Sequence, residues 1–364
     1  MIKSKKGVVE IQFNWIFILI AGAVILIFFG YLVTRIQGTA EEKTSTTVLS
    51  NLDTILTGAG VSTGTLNTLR MPGDDIELSC QRFSIGSLRK SIESNVIFGP
   101  RRIRGKEMLT WTQEWSVPYR VTNFLYWSSP QVRYIFVFEC NYDSSNQVCD
   151  SNSYRTMSRI NNTIPEEFNV ELRSTDNYGS LGGIEYYNSG NAIKDLNNYE
   201  VRFVFFDATP QSSIPPALKK MNSKDITALY IAPGTTVEKE GTIKFYKKGM
   251  NDDWVPDGET SFLKLPSLLG AIFSNDIEDY KCNMRKAFNR LVHVSDVYKK
   301  RSEVLDGFGA NNCKNFHLIA KGYIGTIMSY AQSGLTKAPE IQSKTEELKQ
   351  QNNLAELGSC VLIY

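Results

Sequence analysis

Hydrophobic and polar positions divide the chain into five stretches. Residues 1–10 form a short polar head. From Ile11 to Val33 the sequence, IQFNWIFILIAGAVILIFFGYLV, carries no charged residue. About 20 apolar residues suffice to cross a bilayer, so the pattern predicts one transmembrane helix over 11–33. Over 34–58 the apolar positions Val48, Leu49, Leu52, Ile55 and Leu56 recur at spacings of one, three and four. That periodicity predicts an amphipathic stalk helix, ended by Gly58 and Gly60, that docks its stripe on the folded body.

Residues 59–131 read as a β-rich segment, with short strands at Ile76–Cys80, Val96–Phe98, Met108–Trp111 and Phe124–Trp127 among Gly and Pro punctuation. From 132 to 364 the pattern predicts an α/β domain. Strands are expected at VRYIFVFE (132–139), FNVEL (168–172), VRFVFFD (201–207) and ITALYIA (226–232), with TIKFYKK (242–248) as an edge strand. The intervening segments SYRTMSRI, NAIKDL and PPALKKM fit crossover helices, and continuous apolarity suits strands covered on both faces. After a polar loop, NDDWVPDGET, the C-terminal third reads as helical. Tyr280, Met284, Ala287, Phe288, Leu291, Val294 and Tyr298 form one stripe, Phe316–Ala331 and Pro339–Leu357 give two further helices, and CVLIY could close the sheet as a last strand. The expected fold class is therefore α/β: an N-terminal transmembrane helix and stalk, a β-rich segment, then a Rossmann-like domain with C-terminal helices.

Composition adds the compartment. The chain has 364 residues with 11% aromatics, too many for a disordered body, and a net charge of +2 that gives no pull towards nucleic acid. Its six cysteines, Cys80, Cys140, Cys149, Cys282, Cys313 and Cys360, contain no CxxC pair, which points to disulfides in an oxidising exterior rather than to zinc. Cys140 and Cys149 flank the polar loop NYDSSNQV and are expected to bridge it. Cys282 and Cys313 lie near the starts of successive helices, which would leave Cys80 for Cys360. Lys3, Lys5 and Lys6 ahead of the apolar run, against Arg35 and Lys43 behind it, favour a cytoplasmic N-terminus. The sequon Asn161-Asn162-Thr163 is usable in the exterior.

The head carries a processing signal as well. SKKG followed by VVEIQF resembles the class III, prepilin-type signal of archaeal pilins and archaellins, which implies cleavage between Gly7 and Val8. Family members carry Gln first and Glu fifth after the cut; here Val8 is first, Glu10 third and Gln12 fifth. KKGVVEIQFNWIFILIAGAVILIFF, continuing through VLSNLDTILTGAGVSTGT, is also similar to a set of archaeal single-pass membrane proteins. That resemblance implies an anchored exterior domain.

Candidate chemistry is sparse. The histidines His293 and His317 fall in helical stripes, and no HExxH, GxSxG, Walker A or GxGxxG motif occurs, so no catalytic residue, metal or cofactor is assigned. Asp207 closes its strand ahead of ATPQSSIPP, and ligands of open α/β sheets bind beyond the carboxyl ends of strands. Asp207, Thr209 and Ser212 are thus the possible ligand site, or else caps of a turn. Asp252, Asp253, Asp257 and Glu259 crowd one loop that matches part of an EF-hand, with Val255 at the middle ligand position; a solvated loop is the alternative. Arg101, Arg102, Arg104 and Lys106 form a basic run that reads as a solvated turn or as a grip for phosphate or an anionic polymer. The readings converge on a membrane-anchored exterior protein whose partners are the lipid bilayer and further copies of itself through the apolar helix. Its role is a cell-envelope or pilin-like component, or alternatively a ligand- or glycan-binding module, with a tethered enzyme third.

Overall fold

The computed structural model describes residues 18–32 and 50–364 apart from 53, 57, 59–61, 72–74, 93–94, 141, 144–147, 150, 176–184, 187–198, 208–209, 211–213, 233–235 and 309–310. Gly7 and Val8 lie outside the described residues, as do the Lys3–Lys6 head and NAIKDL. Helix α1 covers residues 18–32, and its large apolar side chains from Ile18 to Leu32 are exposed. At ~1.5 Å per residue it measures about 22 Å, short of the ~30 Å hydrocarbon core of a bilayer. No helix among the described residues is long and apolar enough to cross a membrane. This corrects the transmembrane helix expected over 11–33 and the single-pass localisation built on it.

The β-rich segment contributes β1 (Leu66–Arg70), β2 (Ile76–Leu78), β3 (Arg82–Ile85), β4 (Leu88–Ser91), β5 (Val96–Phe98), β6 (Arg102–Ile103), β7 (Glu107–Ser116) and β8 (Arg120–Ser128). They form two four-stranded sheets, β1-β7-β8-β5 and β4-β3-β2-β6. Alternation decides how these pack. In β2 and β3 the side chains of Ile76, Leu78, Phe83 and Ile85 face inward, where they meet Ile97, Met108, Leu125 and Trp127 of the other sheet. Leu52 and Leu56, in the helical turns at 50–52 and 54–56, complete this core. The opposite face of β4-β3-β2-β6 is left polar.

Next in the chain come β9 (Val132–Phe138), the short pair β10 (Tyr142–Asp143) and β11 (Val148–Cys149), α2 (Asn152–Asn161), β12 (Val170–Ser174), β13 (Glu185–Tyr186), β14 (Glu200–Phe206), β15 (Ile226–Ile231), β16 (Glu240–Lys248) and β17 (Trp254–Leu263). Seven of these strands form one sheet in the order β13-β12-β9-β14-β15-β16-β17, parallel from β13 to β15 and antiparallel thereafter. Parallel strands with both faces covered are apolar throughout, which is why VRYIFVF, VRFVFF and ITALYI were readable. One face packs on the main core with the β1-β7-β8-β5 sheet and the C-terminal helices; the other meets Ile214, Leu218 and Met221.

The Rossmann-like expectation is corrected. PPALKKM supplies a 3₁₀ turn, Pro216–Leu218, in place of a crossover helix, and TIKFYKK is an inner strand because β17 pairs outside it. NDDWVPDGET is accordingly a turn only over 251–253, and from Trp254 onward it belongs to β17. The observed class is a mixed α/β fold with several sheets and C-terminal helices: α3 (Lys264–Phe273), α4 (Ile277–Phe308), α5 (Asn311–Gln332) and α6 (Ala338–Leu357). CVLIY forms no strand; its backbone lies along the helices, with Ile363 buried.

Three disulfides staple the fold and fit an extracellular or otherwise oxidising environment. Cys140 and Cys149 are joined, 5.0 Å apart at Cα. The other four pair Cys80–Cys282 and Cys313–Cys360, which corrects the arrangement read from helix starts. Cys80–Cys282 ties the polar-faced sheet to α4. One turn further along α4, the Lys286 ammonium donates to the carbonyls of Cys80, Ile92 (2.9 Å) and Asn95 (3.0 Å). A half-buried cation among carbonyls keeps its hydrogen bonds while fixing the helix to the sheet edge.

Close approach at α3 gives the first expected result. A Cβ at Gly270 would stand 2.8 Å from the ring of Phe98, which is itself wedged among Phe124, Tyr126 and Tyr280. Gly270→Ala gains helix propensity of up to about 1 kcal/mol. Overpacking against a ring that cannot retreat costs more, so a net loss of about 1–2 kcal/mol is expected. Chemical denaturation measures it; a stabilised variant would mean that the Phe98 cluster yields.

Candidate functional site

Between the polar face of β4-β3-β2-β6 and the amino edge of the seven-stranded sheet lies a cleft of about 840 Å³. Sites of this size are in the range that holds small ligands. Alternation along the short strands builds its outer wall. Arg89 (β4) stands opposite Ser84 (β3), Ser84 opposite Glu77 (β2), and Glu77 opposite Arg102 (β6), all on the face away from the core. Arg82, two residues from Ser84 on the same face, joins this row, and Arg101 and Arg104 extend it. Lys224 and Asp225 come from the turn before β15, Lys247 and Lys248 from the end of β16, and Tyr199, Glu200, Thr227, Asn275 and Asp276 from the floor. Eight cationic side chains thus face four carboxyl groups.

The cations fall into two sets. Arg101 is engaged by Asp276 and by Asp279 (2.7 Å), Lys247 by Asp257 (2.6 Å) and Arg104 by Asp75 (3.1 Å). Lys248 is buried, donating to the carbonyls of Leu218, Lys219 and Met221 and paired with Asp252. These ion pairs hold the walls together. Arg82, Arg89, Arg102 and Lys224 have no ion-pair partner among the described residues, and all four are exposed.

The floor is different in kind. Glu200 begins β14 and Arg202 lies one step deeper on the same face, both at most 4% exposed. Burial pushes the Glu200 carboxyl up to about 8, against the opposing pull of Arg202. Arg202 is drawn down by burial to about 10 and so stays charged at neutral pH. Its guanidinium donates to the carbonyls of Ile272 (2.6 Å), Ala271 (2.9 Å) and Asn275 (3.2 Å) and to Thr227 Oγ1 (2.7 Å). The Asn275 carboxamide meets Glu200, and its oxygen is buried with no donor. The carboxamide nitrogen donates to Glu200, which opposes the upward displacement, and burial outweighs it. Beside it Arg104 lies over the Tyr199 ring, 5.6 Å from the centroid, while its N–H donates to the Tyr199 hydroxyl (3.2 Å). Burial raises that phenol well above its ordinary range.

Among the residues singled out in the sequence, only part of the basic run reaches this cleft: Arg101, Arg102 and Arg104, without Lys106. Asp207 sits at the opposite, carboxyl edge of the sheet, half-buried and in the left-handed region at φ 59°. Burial, and next the nearby Glu139, raises its carboxyl. Thr209 and Ser212 lie outside the described residues. Of the acidic group, Asp252 and Asp257 pair with Lys248 and Lys247, and Glu259 pairs with Lys244 (3.1 Å). No group of three His, Cys, Asp or Glu side chains that could hold a metal occurs among the described residues. His317 is buried in α5 with Nε2 on the Val361 carbonyl (2.8 Å), and His293 lies on α4; neither borders the cleft.

Sequence reasoning missed Arg82, Arg89, Lys224 and Glu200. Two signals were available. RFSI alternates strictly, which puts Arg82 and Ser84 on one face, and its hairpin partner LRKS sets Arg89 opposite Ser84 on that face. In EVRFVFF, Glu200 and Arg202 share the parity of Val204 and Phe206, which places charges on a core face. Compared with known proteins, the chain matches no family model, no curated protein and no solved structure.

Proposed function

We propose that this chain is a binding protein of an extracellular or oxidising compartment whose cleft takes an anionic ligand. The observation that carries this reading is the set of four cations, Arg82, Arg89, Arg102 and Lys224, that converge on one cleft without ion-pair partners among the described residues. Like charges gathered at this density repel one another, and a bound anion relieves that repulsion. Arginine predominates, and its planar fork suits carboxylate, phosphate and sulfate groups in two-point contact. The paired residues around them, Arg101 and Lys247 in particular, give the cleft rigid walls.

Isothermal titration calorimetry with a charged oligosaccharide and with tripolyphosphate, at low and at high salt, tests the reading. Binding that weakens as salt rises is expected. The double variant Arg89→Ala/Arg102→Ala should lose about 2–3 kcal/mol of binding free energy, or ~30–150-fold, by removal of two charge-assisted contacts. Both arginines are exposed, so the variant's circular dichroism and thermal midpoint should match the parent. Absence of binding to either probe, or equal affinity in the double variant, overturns the proposal.

A further inference from the structure

We infer that the occupant of this cleft is an acidic carbohydrate, a hydroxyl-rich chain or ring carrying spaced carboxylate, phosphate or sulfate groups, and not a bare polyanion. The inference rests on the anion-binding reading above and deepens it. The outer wall is not uniformly basic. Its directly opposed row runs Arg89, Ser84, Glu77, Arg102, a sequence of cation, hydroxyl, carboxylate and cation across four strands. At ~4.8 Å per strand the two arginines are about 14 Å apart at the backbone. Glu77, like the cations at either end, has no ion-pair partner among the described residues, and it is exposed to the cleft.

A ligand with anionic groups at every position would set one of them against Glu77, and like charges in direct opposition are unfavourable. Asp225 on the facing wall imposes the same penalty. A ligand whose anionic groups are separated by hydroxyls meets both demands: its anions reach Arg89 and Arg102 while its hydroxyls donate to Glu77 and exchange hydrogen bonds with Ser84. An ammonium-bearing ligand would also satisfy Glu77, but the four cations without ion-pair partners among the described residues outnumber Glu77 and Asp225, which disfavours bringing in a positive group. The floor agrees with the saccharide reading. Glu200 is shielded at the amino end of β14 and Thr227 accepts from Arg202, so the depth of the cleft offers polar, hydrogen-bonding groups and, among the described residues, no additional free cation.

The test uses the full chain and three probes: tetragalacturonate, which has a carboxylate and hydroxyls on each unit; tripolyphosphate, which has charge and no hydroxyl framework; and maltotetraose, which has hydroxyls and no charge. Calorimetry at one ionic strength is expected to rank tetragalacturonate at least tenfold above tripolyphosphate, with maltotetraose weaker than both. Glu77→Ala is expected to act in opposite directions, weakening tetragalacturonate severalfold and strengthening tripolyphosphate severalfold. The exposed position of Glu77 keeps the fold out of the comparison, and circular dichroism checks this. If Glu77→Ala strengthens both charged probes, or if tripolyphosphate ranks first, the anion site stands and the carbohydrate inference falls. If neither charged probe binds, or maltotetraose equals them, the anion-binding reading falls with it.

Discussion

Glu200→Gln is expected to flatten the pH dependence of stability between pH 5 and pH 8.5. The Glu200 carboxyl is buried where β14 begins, and burial raises it to about 8 in the folded protein. In the unfolded chain it returns to about 4.3. The folded state therefore holds a proton that the unfolded state releases throughout that window. The associated stability is fully present below the unfolded value and is lost as pH rises through the folded one. Ionising the carboxyl in its buried place rather than in the unfolded chain costs on the order of 3–5 kcal/mol, at ~1.4 kcal/mol per pH unit between the two values. Glutamine has the same shape and never ionises, so the variant should lie within about 1 kcal/mol of the parent at pH 5 and exceed it clearly at pH 8.5. Urea unfolding at the two pH values measures the difference. Parallel loss in both proteins would show that Glu200 ionises normally in the folded state.

The same charges show what the sequence could and could not disclose. The strands β9, β14 and β15 announce themselves because both faces are covered, so hydrophobicity runs without interruption. β17 is concealed for the opposite reason. It is an edge strand carrying Pro256 and Gly258, exposed along much of its length, and an edge tolerates the residues that signal a loop. Cys140–Cys149 was legible from the loop it closes, whereas the longer-range pairing was hidden, since Cys80 and Cys282 are 202 residues apart. The cleft gathers residues from six separated stretches, between Glu77 and Asp276. Only the run Arg101–Arg104 is dense enough to stand out along the chain. A search at the carboxyl ends of the parallel strands led to Asp207, whereas the convergence of unpaired cations lies at their amino ends. What decides that location is the sheet β4-β3-β2-β6, which leaves its polar face over the amino edge, and no local pattern reports the docking of one sheet on another.

Arg202→Met should have the other large effect, a loss of about 3–5 kcal/mol of folding stability. Two opposing contributions have to be weighed. A charged guanidinium is costly to bury, and replacing a buried ion pair by apolar groups can be neutral or favourable. That outcome requires both partners to be replaced. Here the partners are the carbonyls of Ala271, Ile272 and Asn275 and the hydroxyl of Thr227, and three of the four are main-chain groups that no side-chain substitution removes. Ala271 and Ile272 belong to the last turn of α3, whose carbonyls have no partner within the helix and concentrate the negative end of its dipole. Methionine fills comparable space beside Phe245 but donates nothing, and each buried oxygen left unpaired costs about 1–3 kcal/mol. Arg202→Lys keeps the charge but cannot reach three carbonyls and Thr227 with one planar fork, so an intermediate loss is expected. Urea unfolding at pH 6, where Glu200 retains its proton and the two effects separate, ranks the three proteins. A methionine variant within about 1 kcal/mol of the parent would mean that α3 ends without needing its cationic cap.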